Sequence, residues 1–242
     1  MKKFVKLKLF LNQPFKIINH GLTLANEEMY YKKNINSFNI EQLPTVDILE
    51  LFPNFNEYLN NYSFLEGTSL VTDIMLLKSL ARGFNNCECL EIGSWRGESI
   101  SNICEVAKNC TSITLSKEEM KEMKLSDEFI NIHGIFSKNI ENLNTIYHNS
   151  HTFNFSSLNK KFDLIFIDGD HSYEGVLNDT KKTFNLRKDD NSVIVWHDYG
   201  FTTEKVRYSV LAAILGGVPE NLHKNLYHVS NTLCAIYIEQ KF

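Results

Sequence analysis

The chain has no C-x-x-C pair, no excess of basic charge, no apolar run long enough to cross a membrane and no internal repeat. Each absence excludes something. Its five cysteines, Cys87, Cys89, Cys104, Cys110 and Cys234, are odd in number and unsuited to a disulfide framework or a zinc ribbon. Cys87 and Cys89 flank Glu88 as two residues on one face of a strand would, so they read as small buried hydrophobes in a reducing, cytoplasmic setting. The formal net charge of -4 argues against a nucleic-acid partner. The basic start MKKFVKLKLFLNQPFKII is broken by Lys6 and Lys8 and precedes no small-residue cleavage site, so neither an export signal nor a transmembrane segment is expected.

What is present is ordinary for a soluble α/β protein. The 242 residues are 43% hydrophobic and 22% charged, enough for a core of normal size. Residues 1–44 are rich in Lys and Asn and weak in periodicity. They read as an N-terminal extension, with Lys2, Lys3, Lys6 and Lys8 interleaved among Phe4, Val5, Leu7 and Leu9. An edge strand or a homo-oligomer arm is expected there, with a membrane-surface contact as the alternative. A single domain fills 45–242.

Within that domain, 46–59 reads as a helical stretch broken at Pro53, and 69–81 as a helix ended by Gly83. Strands and helices then alternate. Strands are expected at 88–92, 112–116, 144–148, 164–168 and 193–197, with helices at 98–108, 117–124, 173–186 and 203–215. The region 129–135 gives no clear pattern. Two closing strands, 227–230 and 233–238, are joined too tightly at Asn231 for a crossover and should form an antiparallel hairpin. Such alternation implies a mostly parallel sheet covered by helices on both faces.

Three strand ends carry chemistry. LEIGSWRGES, 90–99, places Gly93 and Gly97 between a strand and a helix, where a ligand can approach the backbone. Its G-x-x-x-G spacing is not the nicotinamide fingerprint. FDLIFIDGDHSYEGVLND, 162–179, ends an apolar run in Asp168, Asp170 and His171. SVIVWHDYG, 192–200, ends in His197 and Asp198. Carboxylates there can bind a hard cation or serve as a base, and a histidine can be a base or a metal ligand. The bland readings are a turn and a helix cap for Asp170, a structural pair for His197 and Asp198, and core packing for Trp95, Tyr173 and Tyr199. The second strand ends at Ser116 rather than at an acid. Glu118 or Glu119 can reach from the next helix, or serve only as favourable charge at its N-terminus.

Together the three segments resemble the class I S-adenosylmethionine-dependent methyltransferases, in particular a bacterial branch whose fourth strand ends in D-G-D-H-x-Y. The resemblance spans 69 to the C-terminus. It implies a Rossmann-like fold with a seven-stranded, mostly parallel sheet and S-adenosylmethionine as cofactor. It implies cofactor contacts at Glu91, Gly93, Ser94, Gly97 and Asp168, with Ser116 or Glu118 in place of the ribose acid and Asn149 and Ser150 near the adenine. The implied acceptor is a hydroxylated small molecule or saccharide, with His197, Asp170 or His171 as catalytic groups. A divalent cation such as Mg2+ is expected between Asp168 or Asp170 and Asp198, although a histidine beside Asp198 is a poor ligand for it. The alternatives are a hydroxylase resembling the cephalosporin hydroxylases, with iron on His171, His197 and Asp198, and a binding module without catalysis.

Overall fold

The apolar runs expected as central strands are buried on both faces. Leu164–Ile167 and Val193–Trp196 are buried throughout, as strands covered by helices on each side must be. The computed structural model of the protein describes residues 14–239. The basic arm around Lys2–Leu9 lies outside them.

In chain order the strands are β1 Thr45–Val46, β2 Glu88–Ile92, β3 Asn109–Thr114, β4 Leu143–Tyr147, β5 Leu164–Ile167, β6 Val193–Trp196, β7 Gly200–Thr202, β8 Lys205–Val206, β9 Leu226–Val229 and β10 Ala235–Tyr237. The helices are α1 Pro14–Phe38, α2 Ile48–Leu51, α3 Val71–Gly83, α4 Glu98–Cys104, α5 Lys117–Glu122, α6 Asp127–Ile132, α7 Tyr173–Thr183 and α8 Tyr208–Gly217. The main sheet runs β1-β9-β10-β6-β5-β2-β3-β4. Strands β4, β3, β2, β5 and β6 are mutually parallel. Strand β10 is antiparallel to both β6 and β9, which is the expected closing hairpin. The turn holds Asn231 at φ 59, a left-handed position that Asn tolerates.

Side chains alternate between two cores. Ile165, Ile167, Ile194 and Trp196 face one, and Leu164, Phe166, Val193 and Val195 the other. All five cysteines are buried and free, and burial pushes the Cys87 thiol up to about 12.

Several expectations need correction. The sheet has eight strands among the described residues, because Thr45–Val46 pairs in parallel with β9. The helix expected over 46–59 shrinks to Ile48–Leu51. Asp47 caps it by accepting from Leu49 N at 2.7 Å, and Pro53 follows without an N–H. The helix expected from Thr203 begins only at Tyr208, because β7 and β8 form a small hairpin first. The unclear stretch near Phe129 is α6, capped by Ser126. The weakly periodic extension contains a 25-residue helix, α1. It is anchored by Tyr30 stacked on Tyr173 and by Glu27 accepting from Ser209 Oγ at 2.6 Å.

Candidate active site

Strand order reverses between β2 and β5: the chain runs outward through β3 and β4, then returns to β5 beside β2. The crevice outside such a switch point is where open α/β sheets hold ligands. Here it is a cleft of about 530 Å3, within the usual range for small-molecule sites. The two central loops meet at its floor. Gly93 sits at φ 86, and a Cβ there would lie 2.2 Å from the Asp168 carbonyl oxygen. The glycine is needed for this loop-to-loop contact.

One wing of the cleft is apolar. Ile92, Ile113, Leu115, Met120, Met123 and Phe129 line it, and the Trp95 ring stacks on Phe129 at 4.7 Å. The Arg96 guanidinium lies 4.0 Å from the Trp95 ring centre. One buried polar atom on a lining residue, Trp95 Nε1, has no hydrogen-bond partner, whereas the Ser94 hydroxyl turns to the Glu91 carboxylate. Buried orphan donors are uncommon, and ordered water or a ligand satisfies them.

The other wing is ionic. His197, almost fully buried, places Nε2 3.0 Å from Asp73 Oδ2, and Asp73 is itself buried on α3. Its Nδ1 is 3.1 Å from Asp168 Oδ1 and 3.6 Å from Asp198 Oδ2. These Nδ1 contacts have ion-pair distances without hydrogen-bond geometry. Burial alone would lower the His197 pKa, but Asp168, Asp198 and Asp73 outweigh it and raise it well above the usual value. His171 Nδ1 is 3.0 Å from Asp198 Oδ2 and 4.0 Å from Asp168 Oδ1. Burial opposes its charge too, and the two carboxylates again win and raise its pKa. Asp198 is held well below the carboxylate range, since both histidines overcome the burial that would raise it. It sits at φ 56, and Arg207 Nη2 reaches its other oxygen at 3.2 Å.

Among the residues expected at the site, Gly93, Ser94, Asn149, Ser150, Asp168, Asp170, His171, His197 and Asp198 all line this cleft. Asp170 stands apart from the ionic wing. Its carboxylate accepts from Ser172 N at 2.9 Å and Ser172 Oγ at 2.8 Å, and pairs with His151 at 3.6 Å. Glu91, Gly97, Ser116 and Glu118 are not among the lining residues. Glu91 lies buried beneath the floor, hydrogen-bonded by Ser99, and burial pushes its carboxyl up to about 8. Gly97 faces Ser137. Ser116 and Glu119 form a capping box at the start of α5. Glu119 also accepts from Asn149 N at 2.9 Å, tying the two loops together, while Glu118 is exposed. Of the three aromatics, Trp95 lines the cleft, Tyr173 stacks on Tyr30, and Tyr199 is core, accepting from Leu43 N at 3.0 Å.

The residue that sequence reading missed is Asp73. It accepts from Leu70 N at 2.8 Å, as a capping residue of α3, and from Leu233 N at 2.8 Å. Only its place near the start of a helix was visible; its partner lies 124 residues away. Met120, Met123, Phe129 and His133 were missed as well. His133 is held by Thr114 at 2.9 Å.

The donor atoms of Asp168, His197 and Asp198 converge within 4.8 Å, the one such set of three among the described residues. They do not suit Mg2+, which takes oxygen ligands in octahedral array. The imidazole fills the space between the carboxylates, and ligation would require a deprotonated Nδ1 facing them. His171 stands outside that set of three, with Nδ1 3.0 Å from Asp198 Oδ2. No helix among the described residues is long and apolar enough to cross a membrane.

Residues 90–199, a little under half of the chain, match the family model of a methyltransferase domain. No curated protein matches the chain. Among solved structures it is similar to an O-methyltransferase from Bacillus cereus in complex with SAH, at 12% identity and TM-score 0.47 over 72% of this chain and 84% of that one. It is also similar to an SAH-bound methyltransferase from Podospora anserina, at 18% identity and TM-score 0.48 over 72% and 80%. Its likeness to the YcgJ protein of Bacillus subtilis takes in 52% of this chain and about half of that one, 49%, at 16% identity and TM-score 0.38.

Proposed function

We propose that this methyltransferase domain takes S-adenosylmethionine in the cleft between β2 and β5 and methylates a hydroxyl oxygen of a small molecule. The observation that carries the reading is the division of one cleft, at the sheet's switch point, into an apolar wing with an orphaned donor and an ionic wing. S-adenosylmethionine, when bound, supplies an activated methyl group. The apolar wing, with Trp95 and Phe129, suits a purine. Trp95 Nε1 offers an unpaired donor, and Asn149 and Ser150 close the far side. Asn149 keeps its backbone in place by donating to Glu119, and Ser150 Oγ by donating to Asp179 at 3.1 Å.

The acceptor hydroxyl then meets the ionic wing. Asp168, His171 and Asp198 offer proton-accepting or polarising groups in a partly dehydrated corner, where alignment is the protein's main contribution. A hydroxylated small molecule or a saccharide fits the polar character of this wing.

Calorimetry with S-adenosylmethionine and SAH tests the cofactor, and we expect saturable, mutually competitive binding. Absence of binding to folded protein would overturn the reading. Labelled-methyl transfer to a panel of hydroxylated compounds tests the acceptor class. Methyl ethers are the expected products, and products methylated only on nitrogen or sulfur would exclude the oxygen assignment.

A further inference from the structure

Both ring nitrogens of His197 face carboxylates, Asp73 across Nε2 and Asp168 and Asp198 across Nδ1. A neutral imidazole has one donor and one acceptor nitrogen, so one face would set a lone pair against a carboxylate. Only the imidazolium matches the environment on both sides. We propose that His197 is a fixed internal cation, positioned by Asp73 in the place between the ends of β5 and β6 that a divalent ion would need.

The surroundings support this from every side. Asp73 comes from α3, Asp168 from the end of β5, Asp198 from the end of β6, and His171 from the loop after β5. Arg207 reaches Asp198 from the start of α8. Cys234 Sγ, 3.7 Å from Asp73 Oδ1, and the edge-on ring of Phe166 complete the shell. Three carboxylates thus face three basic side chains, and an added divalent ion would leave the cluster with surplus positive charge in a poorly solvated place. The raised His197 pKa points the same way.

The charge state stands on geometry alone; its meaning for catalysis rests on the proposed methyl transfer. An imidazolium fixed on both sides cannot take a proton from an acceptor, so His197 leaves the base role and acts as a stationary positive charge that steadies Asp168 and Asp198. His171 remains as the imidazole able to exchange a proton, its ring 43% exposed at the cleft and oriented by Asp198 through Nδ1. Asp73 is not among the residues lining the cleft and is a positioning residue.

The test reads the ring directly. In the full-length protein, nitrogen NMR of the histidine side chains should show both His197 nitrogens protonated throughout about pH 6 to 9, while His171 loses a proton within that range. In Asp73→Asn, with the fold retained, His197 should lose one proton within the same range. A singly protonated His197 ring in the wild type, or no change in Asp73→Asn, would overturn the proposal. A purely structural Asp73 would not move this signal. Mn2+ titration gives an independent arm. The wild type should show no saturable site at millimolar ion, and His197→Asp should gain affinity by about tenfold or more, since it offers a carboxylate where the cation stood. A wild-type Mn2+ site lost in Asp198→Asn would overturn the proposal. If His197→Asp does not fold, the wild-type titration and the NMR arm decide. Neither arm needs a methyl donor, so failure here is distinct from failure to bind S-adenosylmethionine.

Discussion

The two wings of the cleft are built differently. The apolar wing is made largely by neighbours in sequence: Ile113, Leu115, Met120, Met123 and Phe129 follow one another along β3, α5 and α6. The ionic wing is assembled from distant segments, with Asp73 on α3, Asp168 and His171 after β5, His197 and Asp198 after β6, and Arg207 before α8. The first can tolerate repacking one side chain at a time, because dispersion and burial add up over many contacts. The second cannot, because removing one charge leaves its partners unpaired in a low dielectric.

The strongest way to break both wings at once is Gly93→Val. The new Cβ meets the Asp168 carbonyl, and β-branching is poorly tolerated at φ 86. Left-handed strain of about 1–3 kcal/mol adds to overpacking of about 1–3 kcal/mol against backbone that has little room to yield. Urea unfolding should show a lowered midpoint or no native transition. A native-like midpoint would separate the two loops that the structure joins. This variant therefore tests the cleft floor, and lost cofactor affinity in it would not by itself locate the cofactor.

Glu91 sharpens the contrast next. Burial raises its folded pKa to about 8. A group raised on folding contributes stability that is fully present below its unfolded value and lost as pH rises through its folded one. Wild-type stability should therefore fall from about pH 4.5 toward 8 relative to Glu91→Gln, by at most about 1.4 kcal/mol per pH unit. The difference between the two proteins isolates Glu91 from the histidines, whose raised values act in the same direction. Parallel pH curves for the two proteins would remove Glu91 as a neutral buried acid.

Phe129→Ala should weaken the apolar wing alone. Losing the stack on Trp95 removes about 0.5–1.5 kcal/mol beyond burial, so S-adenosylmethionine affinity should fall by up to about tenfold, read by calorimetry. The histidine signals of the ionic wing should not shift. A shift would mean the wings are coupled.

The smallest effect is expected from Asp170→Asn. Its carboxylate serves the Ser172 turn and His151, and Asn keeps an acceptor for Ser172 N, so stability should fall by less than about 1 kcal/mol in thermal unfolding, with His171 and His197 protonated as in the wild type. A changed His171 signal would return Asp170 to the ionic wing.

Legibility followed the same division. The strands at Leu164 and Val193 and the closing hairpin could be read directly, because two-sided burial and a short turn leave local marks. The cleft-lining strand ends, Gly93, Asp168, His171 and His197–Asp198, could be named for the same reason. The short helix after Thr45 and the hairpin before α8 could not. Arg207 N donates to Tyr199 O at 2.7 Å, closing a turn that apolar periodicity does not register. Glu119 was legible as a helix N-terminal charge; its capping box with Ser116, which holds the Asn149 loop as well, was not.

The sequence by itself determined that this is an alternating α/β chain, that its central strands are buried on both faces, and that ionisable groups gather where two of them stop. Continuous apolar runs and strand-end polarity are local properties, written in consecutive residues. Only the tertiary structure decided which of those groups meet. Asp73 reaches His197 across 124 residues, Asp170 turns away to Ser172, and the imidazole lies between Asp168 and Asp198. Electrostatic partnership falls off with distance in space and carries no signal along the chain.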